Sequence, residues 1–63
     1  MGEHVMFRVF VRDGIAESRD IEKALAAAWY ESSTLSCAAV DVFRFVDEQE
    51  PTIIATVQAR GYA

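Results

Sequence analysis

The sequence predicts an α+β fold with the order β-α-β-β: one helix packed on a three-stranded mixed sheet, and paired with a second copy through that sheet. Three observations carry this expectation. Residues 20–31 have the periodicity and composition of a helix. Residues 4–12, 38–46 and 52–60 alternate with a period of two and are rich in β-branched and aromatic side chains. The chain has only 63 residues and one cysteine. A domain this short buries about 60 % of its unfolded surface, and small scaffolds lean on disulfides, a metal or a second copy.

The helix comes first because the strands need it. Ile21, Ala24, Leu25, Ala28, Trp29 and Ser32 fall on one side of a helical wheel, at the spacing of a buried stripe. Ala, Leu, Glu and Lys lose little side-chain freedom in a helix. Ser18 or Asp20 can cap the first turn through a short side-chain oxygen. Glu17, Asp20 and Glu22 sit near the positive end of the helix dipole. The hydroxyls of residues 32–34 compete for backbone partners and end the helix. Three consecutive alanines allow close approach to a sheet, and Trp29 is expected to anchor the core.

In the first strand, 4–12, Val5, Phe7, Val9 and Val11 make a purely apolar face expected to meet the helix. Met6, Arg8, Phe10 and Arg12 make the other. Asp13-Gly14 breaks the strand, and residues 15–19 read as a connection into the helix. In the second strand, 38–46, the set Ala38, Val40, Val42, Arg44 and Val46 is assigned to the helix side, because the opposite register would bury Asp41. The acidic segment 47–51 reads as a turn, with Pro51 opening the third strand. In that strand Ile53, Ala55, Val57 and Ala59 are expected to face the helix, and residues 61–63 form a short tail. A strand-helix-strand crossover would set the first two strands parallel, and the hairpin would add an antiparallel third. Either the second or the third strand can then be central. No repeat, linker or low-complexity segment divides residues 1–63, so one domain is expected.

A sheet covered by one helix leaves its other face open. That face is expected to hold Met6, Phe10, Phe43, Phe45 and Ile54, with Arg8, Arg12, Asp41, Gln58 and Arg60 around them. Contiguous apolar patches rimmed by charge mark interfaces, and interface cores favour aromatics, Met and Arg. The expected interface is therefore Met6, Arg8, Phe10, Arg12, Phe43, Phe45 and Ile54. Its first expected occupant is a second copy, its second a different protein. Single-stranded nucleic acid stacking on the phenylalanines beside the arginines is the rival reading.

The net charge of −4 weighs against general nucleic-acid binding and against an anionic membrane surface. No apolar run is long enough to span a bilayer, and the start of the chain lacks the basic-then-apolar pattern of a secretory signal. Gly2 is followed by Met6 where a myristoylation motif wants Ser or Thr. With one free cysteine, a cytoplasmic location is expected.

No catalytic, metal or cofactor signature is present, so the expectation is a non-enzymatic interaction protein, a small acidic inhibitor or regulatory adaptor. The nearest approach to chemistry is His4 with Cys37, which parallel adjacent strands would bring to one end of the sheet. Asp47, Glu48 and Glu50 lie within one turn but lack the spacing and glycine of a calcium loop. The layout resembles that of small tautomerases in length and element order. Their chemistry rests on an N-terminal proline; this chain has Met1-Gly2 there and its one proline at Pro51, so the resemblance implies no activity.

Overall fold

A computed structural model of the chain describes residues 4–60. Five elements follow one another: β1 (Val5–Val11), β2 (Gly14–Ser18), α1 (Ile21–Thr34), β3 (Val40–Val46) and β4 (Thr52–Val57). The fold is α+β, with one helix on a four-stranded antiparallel sheet of order β2-β1-β3-β4. The tail expected at 61–63 lies outside the described residues.

The fourth strand corrects the expected β-α-β-β order and its three-stranded mixed sheet. Residues 15–19 are not a mere connection. Arg12 and Asp13 turn the chain, and β2 returns along β1 with Val11 opposite Gly14 and Phe7 opposite Ser18. Asp-Gly between alternating segments is a hairpin signal, and Gly14 at φ +147° supplies the backbone freedom the turn requires. The hairpin reverses the chain before the helix begins. The crossover therefore joins β2 to β3, which run parallel with β1 inserted between them, and β1 pairs β3 antiparallel, Val5 opposite Val46. With it goes the element order that resembled the small tautomerases.

Asp20 is the N-cap and accepts from the Glu22 amide at 2.9 Å, while the Ser18 hydroxyl accepts from the Asp20 amide at 2.9 Å. Ala24, Ala28, Glu31 and Ser32 are the buried positions of α1, with Ile21 and Leu25 packed beside them. Trp29 departs from its expected place in the core: it is 53 % exposed. The buried stripe is centred nearer Ala24, Ala28 and Glu31, so the indole falls at its margin. The core itself is narrow. Its buried cluster is Val9, Ala24, Ala28, Val40 and Val42, and small side chains hold the helix too close to the sheet for an indole beneath it.

β3 takes the expected register. Val40, Val42 and Val46 are buried on the helix side, and Arg44 lies opposite Phe7 there, half-buried. β4 departs from its expected alternation. Val42 faces Ala55 but the next residue, Phe43, faces Ile53, so Ile54 is one extra residue in β4. Ala55 and Val57 keep to the helix side, whereas Ile53 is carried to the Phe43 face and is 56 % exposed.

Past Val57 the chain leaves the sheet and Ala59 is buried beside the helix end. The connection from α1 to β3 is tight. Ser36 and Cys37 both adopt positive φ, and the Cys37 amide donates to the Ser32 carbonyl at 2.9 Å.

Candidate interaction face

The side of the sheet away from α1 is assembled by register. Glu17, Arg8, Phe43 and Ile53 form one row across all four strands. Ile15 lies opposite Phe10, Met6 opposite Phe45, and Asp41 opposite Thr56. These positions alternate with the buried valines of β1 and β3, so burying one set obliges the other to face outward.

Within the face the side chains support one another. Phe10 and Phe43 meet edge to face, with centroids 5.4 Å apart and planes at 74°. The Arg8 guanidinium lies 4.3 Å from the centre of the Phe45 ring and pairs with the Glu17 carboxylate. The Thr56 hydroxyl donates to Asp41 Oδ1 at 2.8 Å. Phe43, Phe45 and Met6 are half-buried by these neighbours, while Phe10, Ile15, Ile53 and Ile54 stay exposed at 51, 53, 56 and 42 %. A shallow depression of about 240 Å³ lies at one end, where His4, Arg19 and Asp47 surround Met6 and Phe45.

Five of the seven residues expected to form an interface, Met6, Arg8, Phe10, Phe43 and Phe45, are therefore on one face. Ile54 is exposed beside them as the extra residue of β4. Arg12 is not on the sheet: it occupies the β1–β2 turn, where its amide donates to Glu31 Oε2 at 2.8 Å. Gln58 and Arg60 follow the end of β4, and the Gln58 side chain donates to the Cys37 carbonyl at 2.8 Å. Ile15, Glu17 and Ile53 belong to the face and were not expected there. Asp13-Gly14 was the hairpin signal for the first two, and the two-residue turn Arg12-Asp13 puts Glu17 across from Arg8. Nothing in the sequence announces the extra residue that delivers Ile53.

The possible chemistry changes with strand direction. His4 precedes β1 at the end where Val5 meets Val46, and Cys37 precedes β3 at the end where Val40 meets Val57. Antiparallel pairing places them at opposite ends of the sheet, so they form no Cys–His pair. In the acidic turn, Glu48 takes φ +58° and the Gln49 amide donates to the Val46 carbonyl at 3.0 Å. Asp47, Glu48 and Glu50 are all exposed. Among the described residues no group of three or more His, Cys, Asp or Glu is placed to hold a metal ion. No helix among them is long and apolar enough to cross a membrane.

Comparison with family models, with curated proteins and with solved structures finds no match to this chain.

Proposed function

We propose that the chain is a non-enzymatic protein-interaction module whose working surface is the open face of the sheet, and that its first partner is a second copy of itself. The observation that carries this reading is the composition of that face. Phe10, Phe43, Phe45, Ile15, Ile53 and Met6 are contiguous across four strands, and the Arg8–Glu17 pair lies among them. A patch of this kind on a folded protein marks an interaction site, and the helix is already committed to the other side. A small acidic inhibitor or regulatory adaptor working in the cytoplasm fits such a surface.

Four strands about 4.8 Å apart and about 20 Å long present a projected face of about 400 Å². Two such faces packed together bury little against the roughly 1,200–2,000 Å² of a stable interface, so self-association through the face alone is weak and concentration-dependent.

The nucleic-acid reading has less support. It needs aromatic rings free to take flat bases and cations free for phosphates. One side of Phe45 is covered by Arg8, Arg8 is paired with Glu17, and Phe10 and Phe43 stand edge to face.

The test is native mass by light scattering over a wide concentration range, for the wild type and for Phe43→Asp, with far-ultraviolet circular dichroism on both. The reading expects mass to rise with concentration in the wild type and to stay at one chain in the variant, with the helix signal intact. A wild type that remains one chain at millimolar concentration removes the self-association. Binding of a single-stranded oligonucleotide that weakens steeply with salt would favour the rival.

A further inference from the structure

Three strand ends meet at one end of the sheet. Val5 opens β1, Ser18 closes β2 and Val46 closes β3. The pairings of Phe7 with Ser18 and of Val5 with Val46 bring them together. Carried one position further, the same registers set Arg19 beside Met6 and Asp47 beside His4. All four line the depression of about 240 Å³ at that end of the outer face, together with Arg8 and Phe45.

The lining has an apolar floor and a charged rim. Met6 and Phe45, both half-buried, form the floor. Arg8 is held in place from two sides: its guanidinium lies 4.3 Å from the centre of the Phe45 ring, and its Nε pairs with the Glu17 carboxylate. A guanidinium carries five N–H donors and one carboxylate takes two of them, so donors remain for a second acceptor. Arg19 is exposed, and among the described residues the one ion pair is that of Arg8 with Glu17. His4 adds a ring N–H, and Asp47 is the only carboxylate in the lining. On a chain of net −4, two of the six Lys and Arg residues and the single histidine gather around one hollow.

We propose that this depression receives the C-terminal residue of a partner peptide. Arg8 and Arg19 hold the terminal carboxylate, the last side chain, an apolar one, rests on Met6 and Phe45, and Asp47 accepts from the last amide N–H. The planar fork of arginine matches a carboxylate in two parallel hydrogen bonds. The volume lies below the roughly 300–1,000 Å³ of pockets for drug-sized ligands, so it suits one residue rather than a large cofactor. Asp47 and the net charge of the chain disfavour a dianion such as phosphate. This site does not rest on self-association through the face and needs only one chain.

The experiment is titration of the whole chain with N-acetyl-leucine, followed by the backbone amide shifts in NMR. The protein is kept dilute enough to remain one chain, at fixed pH and ionic strength. The expected result is saturable shifts at Met6, Arg19 and Phe45. N-acetyl-leucine amide, which lacks the carboxylate, produces none at the same concentration. Arg19→Gln weakens binding about fivefold, as loss of an exposed ion pair does. Lys23→Gln removes the same charge from the helix and changes binding by less than about twofold. The amide spectrum of each variant shows directly that it is folded. Absence of shifts with N-acetyl-leucine overturns the site, as does equal binding of the amide or full binding by Arg19→Gln. Inorganic phosphate that binds as tightly overturns the choice of a carboxylate. Hexanoate that binds as tightly overturns the peptide terminus as the source of that carboxylate. Each of these results leaves the self-association reading where its own mass measurement puts it.

Discussion

Ser32 and Ala59 lie 27 positions apart and are joined in the core: the Ser32 hydroxyl accepts from the Ala59 amide at 2.8 Å. The same hydroxyl donates to the Ala38 carbonyl at 2.6 Å. One fully buried oxygen thus ties the last turn of α1 to the connection into β3 and to the segment that follows β4. Both lone-pair and proton capacity are used, so the buried hydroxyl is satisfied.

Ser32→Ala removes both bonds and strands two backbone groups. The expected loss is about 2–6 kcal/mol, at about 1–3 kcal/mol for each group left unpaired. A domain of this length has roughly 3–9 kcal/mol in total, so the variant should be visibly destabilised in a urea melt. Ser33→Ala, on an exposed hydroxyl that only donates to the Tyr30 carbonyl, is the control and should change stability by less than about 0.5 kcal/mol. Equal melts for the two would show that Ser32 is not the tie described.

Glu31 is nearly buried, and its carboxylate holds the β1–β2 turn to the helix by accepting from the Arg12 amide at 2.8 Å. Glu31→Leu should cost about 1–3 kcal/mol and speed exchange of the Arg12 amide, while Glu31→Gln keeps an acceptor and should lose less. Unchanged exchange at Arg12 in the leucine variant would count against this contact.

Two turns make opposite demands. Gly14 sits at φ +147° with open space where a Cβ would stand, so Gly14→Ala meets no steric contact and is strained by its backbone alone. Its expected cost is about 1–3 kcal/mol. Glu48 takes φ +58° beside Asp47 and Glu50, so Glu48→Gly should raise stability by about 0.5 kcal/mol through relief of that conformation. Thermal melts of both variants decide, and a stabilising Gly14→Ala would contradict the turn geometry.

Trp29 is exposed enough that Trp29→Ala should cost less than about 1 kcal/mol, against about 3–5 kcal/mol for a core tryptophan. Its emission should be that of a solvated indole. Because α1 lies on the side of the sheet opposite the Phe43 face, this emission should not change on association through that face. A blue-shifted spectrum in dilute solution would place the indole in the core after all.

Much of this was legible along the chain. The alternation of valines in β1 and β3 shows which side of each strand is apolar, and Asp41 settles the register of β3 because its burial would be costly. Asp20 as a cap and the stripe of Ile21, Ala24, Leu25 and Ala28 follow from helix spacing. The face built from Met6, Arg8, Phe10, Phe43 and Phe45 follows from the same alternation. Ile15 and Glu17 were hidden because β2 is short, and Gly, Ala, Glu and Ser are poor strand formers that only pairing with β1 makes extended.

By itself the sequence determined α1, β1 and β3 and the polarity of their faces, because periodicity acts over a few residues and needs no partner. Tertiary structure decided everything that depends on which strand lies beside which. The two-residue turn before Gly14 sent the chain back along β1, made β1 antiparallel to both β2 and β3 and separated His4 from Cys37. The extra residue Ile54 moved Ile53 to the outer face. Close approach of an alanine-lined helix buried Glu31 and Ser32 and left Trp29 outside. These outcomes rest on hydrogen bonds and packing between residues far apart in the chain, whose energies no local pattern contains.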